Sequence, residues 1–362
     1  MITTINNKHK KLNVPNLRFP EFKGEWHLCK ISNILRIGNG RDYKHLAKGN
    51  IPVFGTGGYM TSVNDYLYDG ETTFIGRKGT INKPYYYKGK FWTVDTLFYT
   101  HSFDGIMPHF VYCLFQTINW LKYNEASGVP SLSKDTIEKI KVHIPQIKEQ
   151  QKISRLILLL DERIATQNKI IEDLKKLKSA ISKKLLSNDK WTTYKIQDIA
   201  EIGRGRVISS VEIDRQKHPL YPVYSSQTSN DGIMGYLDNY MFDGEYITWT
   251  TDGANAGTVF YRKGKFNCTN VCGTLKIQPK FDCYFVSLVL QQATQKYVSS
   301  NLANPKLMNN TMASIKIRMP NIETQKQLSK VFQTLDSCLL VHQRTCKMYL
   351  SEKQYLLRQM LI

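Results

Sequence analysis

Two long stretches of the chain carry apolar residues at alternating spacings of four and three. The first stretch has Ile153, Ile157, Leu160, Ile164, Ile171, Leu174, Ile181 and Leu185; the second has Leu328, Phe332, Leu335, Leu339, Cys346, Tyr349, Leu356 and Met360. Polar residues continue the alternation at the same places in each copy, Gln167 and Lys178 in the first, His342 and Lys353 in the second. This heptad seam predicts coiled-coil helices. An amphipathic helix on a globular core is the alternative, but its apolar stripe is usually wider and shorter.

The two stretches belong to a repeat that covers most of the chain. Without a gap, Pro145, Gln150 and Asp161 align with Pro320, Gln325 and Asp336. Matching pairs also occur before each stretch: "WHLCKISNILRIGNGR" at 26–41 with "WTTYKIQDIAEIGRGR" at 191–206, "YDGE" at 68–71 with "FDGE" at 242–245, and "KGKF" at 88–91 and 263–266. Each half is therefore predicted to be one globular unit followed by one long helix.

Local patterns in the globular units predict mixed α+β structure. Apolar and polar residues alternate at 139–144 and 314–319, which indicates strands. The segments 83–92 and 258–267 resemble hairpins that turn at Lys-Gly, whereas 109–123 and 284–298 are predicted helices.

The predicted architecture is a pseudo-two-fold repeat of two similar globular domains separated by long helices. The second helix finds a matching seam only on the first, so the two should pair antiparallel and return the C-terminus towards the first domain. About 40 helical residues at 1.5 Å each give a spacer of about 60 Å. The polar seam positions are expected to fix the register. The predicted boundaries are 1–143 and 189–318 for the domains, and 144–188 and 319–362 for the helices.

Charge points to a polyanionic partner. Lys and Arg number 50 against 30 Asp and Glu, a formal net charge of +20, and the excess is spread over both halves. Nucleic acid is the favoured partner. An anionic membrane surface is disfavoured because no segment pairs a basic face with exposed Trp or Phe. No stretch looks like a signal peptide or a membrane span, and seven cysteines lack regular spacing, so we expect a cytoplasmic location.

The motifs together resemble those of the specificity (S) subunit of type I restriction-modification systems. "NLRFPEFKGEW" at 16–26, the "IP" and "MP" helix starts followed by Gln150 and Gln325, and the order domain–helix–domain–helix carry the resemblance over essentially the whole chain. The first of these motifs has no clear counterpart before Trp191, because the segment 187–190 is too short to hold one.

The resemblance implies two target-recognition domains, each reading one half of a bipartite, asymmetric site in double-stranded DNA. The helices would set the gap between the halves and dock two methyltransferase (M) subunits. It also implies that cofactors belong to partners: S-adenosylmethionine to the M subunits, and ATP and Mg to the restriction (R) subunits that cleave DNA. No cofactor is expected on this chain.

Motifs for chemistry of the chain's own are weak. "FGTGG" at 54–58 and "NKPY" at 82–85 depart from methyltransferase patterns and are better explained as a turn and a strand start, and no Walker A sequence occurs. Cys268, Cys272 and Cys283 could suggest zinc, but the spacing is irregular, so buried free thiols and no metal are expected. We predict no catalytic residue.

Candidate DNA-binding residues are cations, amides and hydroxyls on turns, since these groups read guanine and adenine in the major groove. They are Arg41, Tyr43, Lys44, Arg77, Lys78, Asn82 and Lys83 in the first domain, and Arg204, Arg206, Ser226, Gln227, Asn230, Lys306, Asn309 and Asn310 in the second. Gly38, Gly40, Gly203 and Gly205 would let the backbone approach phosphate closely. Two other hypotheses remain: a self-contained DNA methyltransferase or nuclease, and a basic scaffold for RNA or acidic proteins.

Overall fold

The computed structural model describes residues 3–4, 13–186, 189–299 and 304–362. The chain divides into two compact units: Met1–Lys169 with Gln343–Ile362 forms the first, and Ile170–His342 forms the second. Each unit therefore contains one globular domain together with part of both long helices. The last two residues of the predicted first helix, 187–188, lie outside the described residues.

The first unit begins with α+β elements and leads into a long helix. Its strands are β1 Thr3–Thr4, β2 Leu17–Arg18, β3 His27–Lys30, β4 Arg36–Asn39, β5 Lys48–Gly55, β6 Gly58–Val63, β7 Tyr68–Gly76, β8 Tyr85–Thr93, β9 Leu97–His101 and β10 Lys141–Ile144. Its helices are α1 Ile31–Ile34, α2 Pro108–Phe115 and α3 Lys134–Lys139, followed by α4 Ile147–Leu185, which continues into the second unit. A 3₁₀ turn covers Trp120–Tyr123.

The second unit repeats this order. Its strands are β11 Thr192–Lys195, β12 Ala200–Arg204, β13 Tyr221–Tyr224, β14 Ile233–Leu237, β15 Glu245–Thr250, β16 Val259–Lys263, β17 Asn267–Cys268, β18 Cys272–Ile277 and β19 Lys316–Met319. Its helices are α5 Ile196–Ile199, α6 Ser210–Asp214, α7 Cys283–Ala293, α8 Asn309–Ser314 and the long α9 Ile322–Met360, with 3₁₀ turns at Ser229–Gly232 and Thr294–Tyr297.

The sheets of the two units follow the same plan. In the first unit the strand order is β4-β9-β7-β8-β5-β6, with β5 and β8 parallel, and β3 pairs with β10. In the second unit the corresponding strands form the sheets β12-β18-β15-β16 and β14-β13-β17, with β13 and β17 parallel, and β11 pairs with β19. The predicted α+β repeat is confirmed.

The two predicted Lys-Gly hairpins are wrong. In the first unit β8 runs without reversal through Gly89, which lies opposite Gly70 of β7. In the second unit the backbone N–H of Gly264 donates to Gly244 O at 2.9 Å. All four glycines have positive φ, which only glycine adopts readily, so the strands bend here instead of turning back. The "DGE" and "KGK" motifs of each unit thus lie on two facing segments that bend at the same place.

Each globular domain packs its apolar core against the long helices within its unit. In the first unit Trp26, Phe110 and Trp120 share a core with Ile153 and Ile157 of α4 and with Leu356, Met360 and Leu361 at the C-terminal end. In the second unit Trp249 and Phe285 share a core with Phe332 of α9. The predicted return of the C-terminus to the first domain is confirmed.

The helices pair antiparallel inside the first unit. Lys353 Nζ lies 2.6 Å from Asp161 Oδ1, and Cys346 Sγ lies 3.4 Å from Asn168 Oδ1. Partner numbers fall along α9 as they rise along α4, which defines the direction. In the second unit Lys178 pairs with Asp336. The seam lysines thus bind carboxylates on the facing helix.

The repeated glutamine at each helix start has a structural role. Gln150 Nε2 donates to Pro145 O at 2.9 Å, and Gln150 Oε1 accepts from the backbone N–H of Met107 at 2.9 Å. Gln325 repeats this with Pro320 O at 2.8 Å and with the N–H of Asp282 at 3.0 Å. The Gln150 side chain therefore connects the first turn of α4 to the start of α2. The Gln325 side chain connects the first turn of α9 to the start of α7 in the same way.

The N-terminal motif of the first unit is explained by a buried carboxylate. Glu149, 1% exposed, accepts from Arg18 Nε and Nη2, both at 2.8 Å, and from Trp26 Nε1 at 3.3 Å. Thr324 stands at the equivalent place in α9. The N-terminal segment that carries Arg18 therefore binds a helix residue that has no equivalent in the second unit.

No helix in the described part of the chain is both long and apolar enough to cross a bilayer.

Candidate nucleic-acid interface

A glycine places one arginine at the same turn of each unit. A Cβ on Gly40 would lie 1.9 Å from Val94 O, and one on Gly205 would lie 2.1 Å from Cys268 O. The next residues continue the contact, because the N–H of Arg41 donates to Thr93 O and that of Arg206 to Cys268 O. The glycine of each "GR" is thus required by close backbone packing, and the arginine that follows it is exposed in both units.

The preceding glycines have an internal explanation as well. A Cβ on Gly38 would lie 2.2 Å from Tyr99 Cζ, and one on Gly203 would lie 2.6 Å from Thr274 Oγ1. Contacts within the protein account for both glycines without phosphate. Their role in approaching DNA stays a prediction.

The first unit gathers three of its seven candidate residues around one segment. The N–H groups of Arg77 and Lys78 both donate to Thr96 O, at 2.8 and 3.3 Å, while Arg41 bonds to Thr93 in the same segment. The side chains of Arg41, Arg77 and Lys78 are exposed. The ends of β4 and β7 and the start of β9 therefore form a basic rim of residues 41, 77 and 78.

The other candidates of the first unit lie elsewhere. Tyr43 is half-buried and packs on the cluster around Val53 and Trp92, and Lys44 is exposed in the same loop. Asn82 and Lys83 line a cleft with Gln354 and Arg358 of α9. The last two candidates thus face the C-terminal helix, a position that the sequence pattern did not indicate.

The second unit pairs its cations with acids. Arg204 Nη2 lies 3.2 Å from Asp252 Oδ2, and Lys306 Nζ lies 3.8 Å from Oδ1 of the same carboxylate. Arg206 forms a two-bond ion pair with Glu212 of α6, which raises the arginine's pKa and lowers that of the glutamate. Arg204, Arg206 and Lys306 therefore contribute less net positive charge to the surface of the second unit than their number suggests.

The candidate amides of the second unit are largely engaged by the protein. Gln227 Nε2 and Asn230 Nδ2 both donate to Ile233 O, the latter at 3.3 Å. Asn309 Nδ2 lies 3.4 Å from Gly203 O, and Asn310 beside it is exposed. Ser226 is held through its carbonyl by Asn255 Nδ2 at 3.1 Å. These contacts favour structural roles for Gln227 and Asn309.

Three further residues of this region, Asp252, Asn255 and Arg262, are not among the predicted DNA-binding residues. Asp252 and Asn255 lie in "TTDGAN", which stands where the first domain has "GRKGT", and this reversal of charge was the available signal. Arg262 gave no signal of its own because a single arginine in a strand looks solvent-exposed. Its burial at 4% exposure is a result of tertiary packing.

The cysteines that could suggest zinc are buried thiols. Cys268, Cys272 and Cys283 are free, and burial raises the pKa of Cys272 to about 11 and that of Cys283 to about 12. Thiolate is the form that binds metal, so these side chains suit an apolar core. Among the described residues no group of three or more His, Cys, Asp or Glu could hold a metal ion.

Comparison with known proteins decides the family. A family model described as "Type I restriction modification DNA specificity domain" matches residues 23–176 and again 188–347. The chain belongs to the type I DNA specificity family. The double match agrees with the internal repeat.

Relatives of this specificity subunit have been found in Mycoplasma pneumoniae. The "Putative type I specificity subunit S.MpnORF365P" is 36% identical over 215 residues, which are 58% of this chain and 80% of that protein. The "Type I restriction enzyme MpnII specificity subunit" is 42% identical over 146 residues, 40% of this chain and 44% of that protein. The chain is therefore a DNA specificity subunit, the non-catalytic recognition component of such systems.

Solved structures share its fold. The type I restriction-modification S subunit from M. genitalium matches with a TM-score of 0.77 at 16% identity, covering 96% of this chain and 99% of that one. A chain from a study of complex assembly in a type I R-M system matches with a TM-score of 0.52 at 10% identity, covering 92% and 96%. The predicted domain–helix–domain–helix fold is confirmed.

Proposed function

We propose that this specificity subunit reads a bipartite, asymmetric DNA site, one half with each globular domain, and brings methyltransferase subunits to it. The target-recognition domains span 1–143 and 189–318, and the spacer helices span 144–188 and 319–362. Two M subunits dock on the helices and supply S-adenosylmethionine. R subunits add ATP- and Mg-dependent cleavage of the double-stranded DNA.

One observation carries the proposal: a shared framework with different side chains at its turns. Both units place a "GR" turn by the same glycine contact and pair corresponding strands in parallel. Where β7 ends, the first unit has Arg77 and Lys78, whereas the second unit has Thr251 and Asp252 at the end of the corresponding strand β15. Two readers built on one framework, with different groups at the DNA-facing turns, suit a site of two unequal halves.

The charge and the helix pair support the rest. A net charge of +20 favours a DNA duplex, whose phosphates contribute much of the affinity. Long helices as spacers suit two half-sites at a fixed separation. The match to a chain studied for complex assembly supports partner docking.

The test is sequencing of DNA methylation in a methylase-free host. The chain is co-expressed with the M subunit of its own genome, beside a control without the chain. The expected result is a new, chain-dependent methylated site of two unequal halves with a fixed gap. A host DNA without such a site, while the same M subunit is active with another S subunit, would favour the scaffold hypothesis. S-adenosylmethionine binding by the purified chain alone would favour the methyltransferase hypothesis.

A further inference from the structure

One loop distinguishes the second domain from the first although its framework is the same. Val223 and Tyr224 pair in parallel with Asn267 and Cys268, as Val53 and Phe54 pair with Trp92 and Thr93 in the first unit. Beyond this pairing the first unit turns tightly from Gly55 to Gly58. The second unit instead carries residues 225–232, "SSQTSNDG", before β14 begins. We name this segment the 225–232 loop.

The backbone of the 225–232 loop needs support from outside. Asn230, Asp231 and Gly232 are consecutive residues with φ of +49°, +54° and +81°. The left-handed conformation is costly for residues other than glycine and persists where neighbouring groups hold it. The N–H of Ser225 donates to Gly232 O at 2.8 Å and closes the base of the loop.

Arg262 of β16 supplies that support. Its Nη1 donates to Asp231 Oδ2 at 2.8 Å and its Nη2 to Asp231 O at 2.9 Å, so it binds both the side chain and the backbone of one left-handed residue. Its Nε lies 3.3 Å from Thr248 Oγ1. The guanidinium lies 3.6 Å from the centre of the Tyr224 ring and 4.4 Å from that of Phe260.

The first unit shows what this position holds when the loop is absent. The residue equivalent to Arg262 is Tyr87, which packs its ring 4.9 Å from Phe54 in an aromatic cluster. A buried guanidinium costs more to desolvate than a tyrosine ring and needs partners. In the second unit those partners come largely from the loop. The buried arginine and the longer loop therefore depend on each other: the loop supplies the partners of Arg262, and Arg262 holds the loop.

The 225–232 loop is linked through Asn255 to the segment that carries Asp252. Asn255, whose amide holds Ser226 O, lies three residues after Asp252, the carboxylate shared by Arg204 and Lys306. Thr228, Ser229 and Asn230 at the loop tip are exposed. The exposed hydroxyls of Thr228 and Ser229 and the carbonyl oxygen of the Asn230 side chain have the chemistry that reads base edges, while the Asn230 amide nitrogen donates to Ile233 O.

We propose that Arg262 is a positioning residue for DNA recognition, which holds the 225–232 loop so that its tip reads bases in the half-site of the second domain. This inference rests on the proposed function. Arg262 itself does not contact DNA. It acts through Asp231 and sets the shape of the reading loop.

The experiment uses the full chain with its M subunit and methylation sequencing, because the motif reports each half-site separately. Arg262→Tyr introduces the tyrosine that the first unit has at this position, so that an aromatic ring can still pack there. Asp231→Asn removes the charge that the loop offers to Arg262 without altering the core. Lys263→Gln is the control, since Lys263 follows directly, is exposed and bonds to Glu245 instead. Co-purification with the M subunit and hydrogen exchange of residues 225–232 accompany each variant.

We expect both loop variants to co-purify with the M subunit and to keep the first half-site unchanged. At one or two positions of the second half-site, discrimination between the correct and the wrong base should fall about tenfold, the usual effect of one base pair. Hydrogen exchange in the loop should quicken, and Lys263→Gln should match the wild type.

Two results would overturn the inference alone. One is a wild-type second half-site in both Arg262→Tyr and Asp231→Asn. The other is an equal weakening of both halves in Arg262→Tyr, together with loss of the M subunit, while Asp231→Asn keeps the wild-type motif. If the unmodified chain directs no bipartite methylation, the proposed function fails and this inference fails with it.

Discussion

Lys353 Nζ lies 2.6 Å from Asp161 Oδ1 on the facing helix of the first unit, although Lys353 is only 7% exposed. The repeat places the equivalent pair in the second unit on the opposite helices: the lysine there is Lys178 of α4, and the aspartate is Asp336 of α9. Both pairs thus join a lysine in the last third of one helix to an aspartate in the first half of the other. A reversed or shifted pairing would leave these charges without partners, so the pairs specify direction and register.

Substitution of Lys353 by methionine should destabilise the first unit by about 1 to 3 kcal/mol, because it leaves Asp161 partly buried without its cation. Denaturant unfolding of the full chain measures the loss. Lys347→Met on the exposed face of the same helix is the matched control and should change stability by less than about 0.5 kcal/mol. Equal effects of the two variants would refute a role of the ion pair in stability.

His109 should make the first unit less stable in acid. Burial lowers its pKa, with the nearby Lys353 acting in the same direction and Asp161 and Glu71 opposing it. The folded state therefore binds the proton less well than the unfolded state. The stability contribution is complete above the unfolded pKa of about 6.5 and is lost as the pH falls through the folded value.

His109→Tyr provides the test of this pH dependence. Tyr284, the equivalent residue of the second unit, donates to Asp336 at 2.5 Å, so a tyrosine is compatible with the repeated framework. We expect the stability difference between pH 7 and pH 5 to become smaller in this variant, as measured by denaturant unfolding at each pH. An unchanged difference would assign the acid sensitivity to other groups.

Alanine at Gly205 should disturb the second unit through its backbone. The new Cβ would lie 2.1 Å from Cys268 O, and a carbonyl in a sheet cannot move aside as a side chain can. We expect a loss of about 1 to 3 kcal/mol, typical of overpacking, and the same for Gly40→Ala in the first unit. Gly57→Ala, with nothing within 4 Å of its Cβ, serves as the control in thermal unfolding.

The basic rim and the cleft beside α9 should differ in their effect on DNA binding. Arg77→Ala should weaken binding by the full complex and reduce the slope of log affinity against log salt by about 1, the value for one phosphate contact. Lys83→Ala removes the same charge from the cleft lined by Arg358 and should leave the slope unchanged. Fluorescence anisotropy over a salt series measures both. A larger reduction of the salt slope with Lys83→Ala than with Arg77→Ala would indicate that DNA binds at the cleft and not at the basic rim.

The sequence by itself determined the repeat, the strands and helices that belong to it, and the pairing of the long helices. These follow from local periodicity and from the fact that one apolar seam requires another. It also pointed to DNA, since net charge and motif order are properties of the chain and not of its packing. Charged residues on turns are also expected to be exposed, as Arg41 and Arg77 are, but their contact with DNA stays a prediction.

Tertiary structure alone decided which polar residues are available. Gln227 and Asn309 are predicted base readers whose amide nitrogens donate to backbone carbonyls of their own domain, and their contact with DNA stays a prediction. The two Lys-Gly segments looked like hairpins, but strand pairing across facing glycines bends them. Arg262, which was not among the predicted site residues, is buried beneath a loop. The partners of Asn309 and Arg262 lie far away in sequence, so the local pattern carries no record of contacts that only the folded domain creates. Gln227 bonds to Ile233 nearby in sequence, but only the folded loop brings the two groups together.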